Sequence, residues 1–344
     1  MESNARTSPE RRLAALSGLF QMDNRQRFFL VSQLHKSRLS RTHTPSVLSF
    51  VLLVLSQIVA LSPIANAQGK PTQWPLPPIP LGATVYPDLS YVSHGSPNQR
   101  LDLYVPKTGQ NFPVIVFIHG GAFCMGDKRQ WIRYQLGYLD QGYGIASINY
   151  RLSSEAVFPA QIEDCKSAVR WLRAHAASYH LDSNHFLAWG ASAGGNLAAM
   201  LGTTGDISDF DVGDNLTYSS RVQGVADFFG PVDLTRLQPA FMAANSAESL
   251  FLGCAIEDHL DKARLGSPIT YVNKDNPPFL IVHGDADPRV SYKQSVWLTA
   301  ALKNANVPVT FYTVKGAKHG GFRDPQVPQL TSAFFAKYLK PERS

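Results

Sequence analysis

Cysteine is scarce in this chain. Three thiols, Cys124, Cys165 and Cys254, stand among 344 residues with no C-x-x-C spacing, which excludes a disulfide framework and a zinc knuckle as organising devices. They leave room for one bridge in an oxidising compartment, or for three free thiols packed as small hydrophobes. Charge is sparse too: 17% of residues are charged against 44% hydrophobic, the opposite of a disordered chain. No uninterrupted apolar run reaches the ~20 residues that a membrane-spanning helix needs. The formal charge of +6 suggests a basic protein, but residues 1–67 hold 8 Lys/Arg against 3 Asp/Glu, leaving 24 against 23 from residue 68 onward. The body of the chain is therefore close to neutral and offers no reason to expect a nucleic-acid partner. No internal repeat is visible.

What is present begins with a targeting pattern. Arg25, Arg27, Lys36, Arg38 and Arg41 precede an apolar stretch from Val47 to Leu61, and Ala65-Asn66-Ala67-Gln68 follows with small residues where a signal peptidase cuts. Residues 1–67 are expected to be a signal peptide with an extended N-terminal region, so that the mature chain is secreted or periplasmic. The stretch is interrupted by Ser49, Ser56 and Gln57 and ended by Ser62, so no stable membrane association is expected after cleavage. Residues 68–83 carry five prolines and read as an extended linker. The domain is expected to occupy residues 84–344.

Within it, Tyr91–His94 and Arg100–Val105 flank a Gly-Ser-Pro-Asn cluster and suggest a hairpin. Short apolar runs then alternate with helical patterns: Val114–Ile118, Gly144–Asn149, His185–Trp189, Gly224–Phe229, Phe279–Val282 and Thr310–Val314. Fully apolar runs of this length suit strands buried on both faces. Ile162, Cys165, Val169 and Leu172 recur at helical spacing, Leu298, Ala301 and Leu302 mark a second helix, and Leu330–Leu339 a terminal one. The expected fold is α/β: a mostly parallel central sheet with an antiparallel N-terminal hairpin, helices on both faces, and a small cap segment from Leu234 to Ser267. Ligands of such sheets bind at the carboxyl ends of the strands.

The chemistry-bearing residues sit at those ends. Gly190-Ala-Ser192-Ala-Gly194 joins an apolar run to a helix-like segment, the setting in which G-x-S-x-G forms a sharp elbow that lifts a serine above the sheet. His119-Gly120-Gly121-Ala122-Phe123 follows another strand and can aim backbone N–H groups at a developing oxyanion. A serine needs a base. Of ten histidines, His119 and His283 each close a strand and read as setting loop structure, whereas His319 lies among glycines beyond the last strand and can reach over the sheet. The acid that orients the base is Asp287 or Asp285. Asp287 is preferred because Pro288 stiffens its loop, while Asp285 reads as a turn-shaping residue.

At these residues the chain resembles the α/β-hydrolase superfamily, in its hormone-sensitive-lipase-like and BD-FAE-like branch (bifunctional feruloyl and acetylxylan esterases). The resemblance rests on H-G-G-A-F at 119–123, N-Y-R-L-S at 149–153, F-P-A-Q-I-E-D at 158–164, A-W-G-A-S-A-G-G at 188–195, F-F-G-P-V-D at 228–233 and H-G-D-A-D-P-R-V at 283–290. It implies Ser192 as nucleophile, His319 as base and Asp287 as acid. The N–H groups of Gly121, Ala122 and Ala193 would form the oxyanion hole, with Phe123 and Cys124 as candidate pocket residues. Many relatives carry a third glycine where this chain has Ala122, and the added methyl would narrow the approach. Arg151, Glu163 and Asp164 are read as structural ion pairs.

The expected function is that of a secreted serine carboxylesterase acting through an acyl-enzyme on small-molecule or polysaccharide esters, acetyl and feruloyl esters among them, with no metal and no cofactor required. The alternatives are a lipase or an arylformamidase-type amide hydrolase using the same residues, and, from another class, a non-catalytic binding protein on a hydrolase scaffold.

Overall fold

Apolar runs without polar interruption are stable as strands only when both faces are covered, and the computed structural model of the chain, which describes residues 74–339, covers both. The expected leader, and the linker as far as residue 73, lie outside the described residues. The strands are β1 (Ala83–Ser90), β2 (Arg100–Pro106), β3 (Phe112–Ile118), β4 (Gly144–Ile148), β5 (Leu181–Ala191), β6 (Gly224–Phe228), β7 (Phe279–Gly284) and β8 (Val309–Val314). The helices are α1 (Ala160–Ala174), α2 (Ala193–Thr203), α3 (Ala247–Leu252), α4 (Leu260–Leu265), α5 (Lys293–Asn304) and α6 (Gln326–Leu339), with short 3-10 turns between them.

The strands form one eight-stranded sheet in the order β1-β2-β4-β3-β5-β6-β7-β8. β2 is antiparallel to β1 and to β4, and the remaining neighbours are parallel. This is the expected α/β-hydrolase architecture. Successive side chains of a strand point to opposite faces, so β3 serves two cores. Val114, Val116 and Ile118 join Ile162, Val169, Leu197, Met200, Leu298 and Leu302 of α1, α2 and α5. Ile115 and Phe117 join Leu136, Trp189, Phe335 and Leu339 on the other side, under α6. Cys165 is buried, and all three cysteines are free.

The hairpin is present but displaced. Its first arm is β1, beginning at Ala83 inside the expected linker, and Tyr91–Gln99 forms the connection, closed by Tyr91 N–H donating to Gln99 O at 3.3 Å. β1 is an edge strand with half-exposed side chains, and its register shifts between Tyr86 and Leu89. Proline is tolerated at such an irregular edge, and Pro87 stands in this strand. Between β6 and β7 the segment 234–267 folds into 3-10 turns and the short helices α3 and α4, as expected of a cap. Among the described residues no helix is long and apolar enough to cross a membrane.

Candidate active site

Five strand ends converge because β3, β5, β6, β7 and β8 are consecutive neighbours running in the same direction. The turn from β5 to α2 is the sharpest. Ser192 sits in it at φ 58°, ψ −122°, a left-handed conformation that costs on the order of 1–3 kcal/mol for a residue with a Cβ and persists only where its surroundings impose it. Here the surroundings are backbone: a Cβ on Gly190 would lie 1.9 Å from Gly194 O, and one on Gly194 would lie 2.1 Å from Ile118 O. Glycine at both positions lets the elbow close against β3, and Ser192 N–H donates to Phe228 O at 2.9 Å.

The loop beyond β8 brings His319 over this elbow, with Nε2 2.9 Å from Ser192 Oγ. Its other ring nitrogen, Nδ1, is 2.7 Å from Oδ2 of Asp287, on the loop beyond β7. Asp287 has a fully buried carboxylate. Burial acts to raise its pKa, but hydrogen bonds from His283, His319 and the Val290 N–H outweigh that and hold it well below the usual carboxylate range. It is therefore a fixed negative charge, suited to keep the His319 proton on Nδ1 and leave Nε2 free to accept one from the serine. Asp285 shapes the turn instead, accepting from Gly316 N–H at 2.6 Å.

Residues that sequence reasoning passed over complete the frame. His283, read as a loop-setting residue, is buried with Nε2 3.2 Å from Asp287 Oδ2 and 3.1 Å from Val290 O. Two acceptors at Nε2 require the proton there, so Nδ1 accepts from Ser295 Oγ at 2.7 Å. His283 thus braces the far side of the acid. Phe229, at φ 47° just after β6, sets its ring edge-on to His319 at 4.8 Å. It lies in the F-F-G-P-V-D block, but nothing in that string says which ring faces the histidine.

The glycine-rich loop after β3 packs on the elbow: a Cβ on Gly120 would meet Ala191 O at 2.8 Å. Ala122 and Phe123 take left-handed φ values of 51° and 60°. Among the described residues the N–H groups of Gly121, Ala122 and Ala193 have no hydrogen-bond acceptor, which leaves them available to an external oxygen. His119 is buried and structural, its Nδ1 2.7 Å from Gly120 O and its ring stacked on Tyr150, and burial lowers its pKa. One expectation is corrected. Phe123 does not line an open pocket, because it is 1% exposed and stacks on Phe251 of α3 at 3.9 Å. Cys124 is half-exposed; its thiol donates to Gly121 O at 3.6 Å and burial raises its pKa, so it is no rival nucleophile. Arg151 pairs with Asp164 at 2.9 Å and Glu163 at 3.4 Å, as expected.

The BD-FAE family model matches residues 101–302. The esterase LipQ of Mycobacterium tuberculosis is 31% identical over 62% of this chain and 51% of its own length; the chain spans about half the length of the curated relatives it matches. Among solved structures, a truncated form of a carbohydrate esterase from gut microbiota is 33% identical, with TM-score 0.71 over 74% of this chain and 96% of that one. A thermophilic esterase of Thermogutta terrifontis is 26% identical, with TM-score 0.61 over 78% of this chain and 98% of that one.

Proposed function

The chain belongs to the BD-FAE family, and we propose on that premise that it is a serine carboxylesterase working through an acyl-enzyme, with acetyl esters of carbohydrates as its substrate class. The observation that carries this reading is the unbroken contact Ser192 Oγ to His319 Nε2 to His319 Nδ1 to Asp287 Oδ2, at 2.9 and 2.7 Å. A serine hydroxyl is a weak nucleophile until a base removes its proton. In the proposed reaction Ser192 Oγ bonds to the ester carbonyl carbon as its proton passes to His319 Nε2. The carbonyl oxygen becomes an oxyanion held by the free N–H groups of Gly121, Ala122 and Ala193. Collapse expels the alcohol, which takes the proton from His319, and leaves the acyl group on Ser192. Water then attacks with His319 again as base, releasing the acid and restoring the serine. Every proton is accounted for within this set of side chains.

The carbohydrate assignment is supported by the similarity to a carbohydrate esterase over nearly all of that protein's length. Export is part of the same proposal and is supported by the basic, apolar and small-residue pattern of residues 1–67. Ser192→Ala tests the chemistry: turnover of p-nitrophenyl acetate by the full chain should fall by about 10⁶ with the far-UV spectrum unchanged. Labelling by a fluorophosphonate should vanish with it. Activity retained within tenfold of the parent would end the proposal, and a parent chain that neither turns over the ester nor takes up the probe would favour a non-catalytic scaffold. A panel of acetylated xylan, methyl ferulate, triglycerides and N-formylkynurenine separates the carbohydrate assignment from the lipase and formamidase alternatives.

A further inference from the structure

One buried ion pair has no part in the chemistry above. Glu248, in the cap helix α3, has a carboxylate only 4% exposed, and its Oε1 accepts from Arg289 Nη2 at 2.6 Å. Its Oε2 is buried without a partner among the described residues. A buried pair with an unsatisfied oxygen is poor value as a stabilising device, since desolvation of the two charges commonly offsets their attraction. The arrangement does fix a guanidinium in place. Arg289 is gripped at three points: its backbone N–H donates to Asp287 Oδ1 at 2.7 Å, its Nη2 to Glu248, and its guanidinium lies over the Phe241 ring at 4.1 Å.

The place it is held is the loop beyond β7 that carries Asp287. Arg289 is two residues from the acid. Glu248 shares α3 with Phe251, which stacks on Phe123 of the glycine-rich loop at 3.9 Å. The pair therefore spans from the acid loop to the loop that presents the free N–H groups. The Arg289 side chain is 31% exposed, and among the described residues its Nε and Nη1 have no acceptor. A rigid fork of N–H donors thus projects from the loop that carries the acid.

We infer that Arg289, held by Glu248, is a subsite for the leaving alcohol that recognises the ring oxygens and hydroxyls of a sugar. This rests on the reading of Ser192 as the nucleophile of an esterase. Two features choose the ligand. Glu248 cancels the charge of the guanidinium, so the subsite offers directed donors without net positive charge and suits neutral oxygens better than a carboxylate or phosphate. An acetyl group has no acceptor beyond the reacting ester, so free donors have work only on the alcohol side.

The test compares two esters of one acid whose alcohols share a six-membered ring: methyl 2-O-acetyl-β-D-xylopyranoside, with free hydroxyls, and cyclohexyl acetate, with none. For the full chain the ratio of kcat/KM, xyloside over cyclohexyl ester, should be about tenfold or more in favour of the xyloside. Arg289→Met should reduce this ratio by about tenfold, the loss of one charge-assisted hydrogen bond, with the change concentrated in KM. Arg289→Lys, which keeps the charge but not the fork, should fall between. Glu248→Gln keeps the shape at 248 and carries the test if the Met variant does not fold; it should lower the ratio by several-fold. A flat ratio in the parent chain, or equal losses on both esters in the variants, overturns the subsite. Hydrolysis of cyclohexyl acetate by the parent, abolished in Ser192→Ala, leaves the esterase reading standing in either case.

Discussion

Replacing Asp287 with Asn separates the acid's charge from its shape. The carboxylate accepts four times and donates never: His319 Nδ1 at 2.7 Å and His283 Nε2 at 3.2 Å meet Oδ2, while the N–H groups of Arg289 and Val290 meet Oδ1 at 2.7 and 3.0 Å. An amide has one acceptor oxygen. The two backbone donors cannot rotate away, so that oxygen stays on them and the NH₂ turns toward the two imidazoles. His283 keeps Val290 O at 3.1 Å as its acceptor. His319 has no such alternative among the described residues, so it must present an unprotonated Nδ1 and move its proton to Nε2. That nitrogen is 2.9 Å from Ser192 Oγ and, once protonated, cannot accept the serine proton. Asp287→Asn should therefore lower kcat by about 10⁴ near neutral pH, the scale of a wrong-tautomer defect, with KM within a few-fold and the fold intact. Initial rates of p-nitrophenyl acetate hydrolysis by the full chain between pH 5 and 10, with a thermal melt, measure it. A variant within tenfold of the parent kcat would refute the tautomer argument.

Two further substitutions probe the frame. His283→Phe fills the same buried space but removes the Asp287 brace and the acceptor for Ser295; kcat should drop about tenfold and stability by about 1–3 kcal/mol, and an unchanged kcat would confine His283 to packing. Asp227, fully buried on β6 with one oxygen unpartnered, has its pKa pushed up by burial to about 6, above the ~3.9 of an unfolded chain. Its folded form is favoured most below about pH 4, and that advantage is lost as pH rises through about 6. Asp227→Asn cannot ionise, so its stability relative to the parent should improve by about 2 kcal/mol between pH 4 and 7; urea melts giving a flat difference would refute it.

The elements that hold the site were legible because each was a local signal. Apolar runs bounded by turn residues locate β3 to β8, since a strand covered on both faces needs no polar position. G-x-S-x-G announces its elbow because only glycine tolerates backbone at 2 Å from where a Cβ would stand. The preference for Asp287 over Asp285 followed from Pro288, and Asp285 does bond the neighbouring turn. β1 escaped notice because an irregular edge strand with a proline has neither a clean alternation nor an apolar run. Phe123 was misjudged because adjacency to a glycine-rich loop does not tell which way a ring turns, and here Phe251, 128 positions later, takes it into the core.

The linear order of residues thus settled which side chains carry reactive groups and which strand ends they occupy, since those depend on composition and on spacing within a dozen positions. Contact across the sheet was decided by folding: the distance of His319 from Ser192, His283 behind Asp287, Glu248 gripping Arg289. Such pairings depend on strand order and on the direction in which buried side chains leave the backbone, and both arise from packing the whole chain at once.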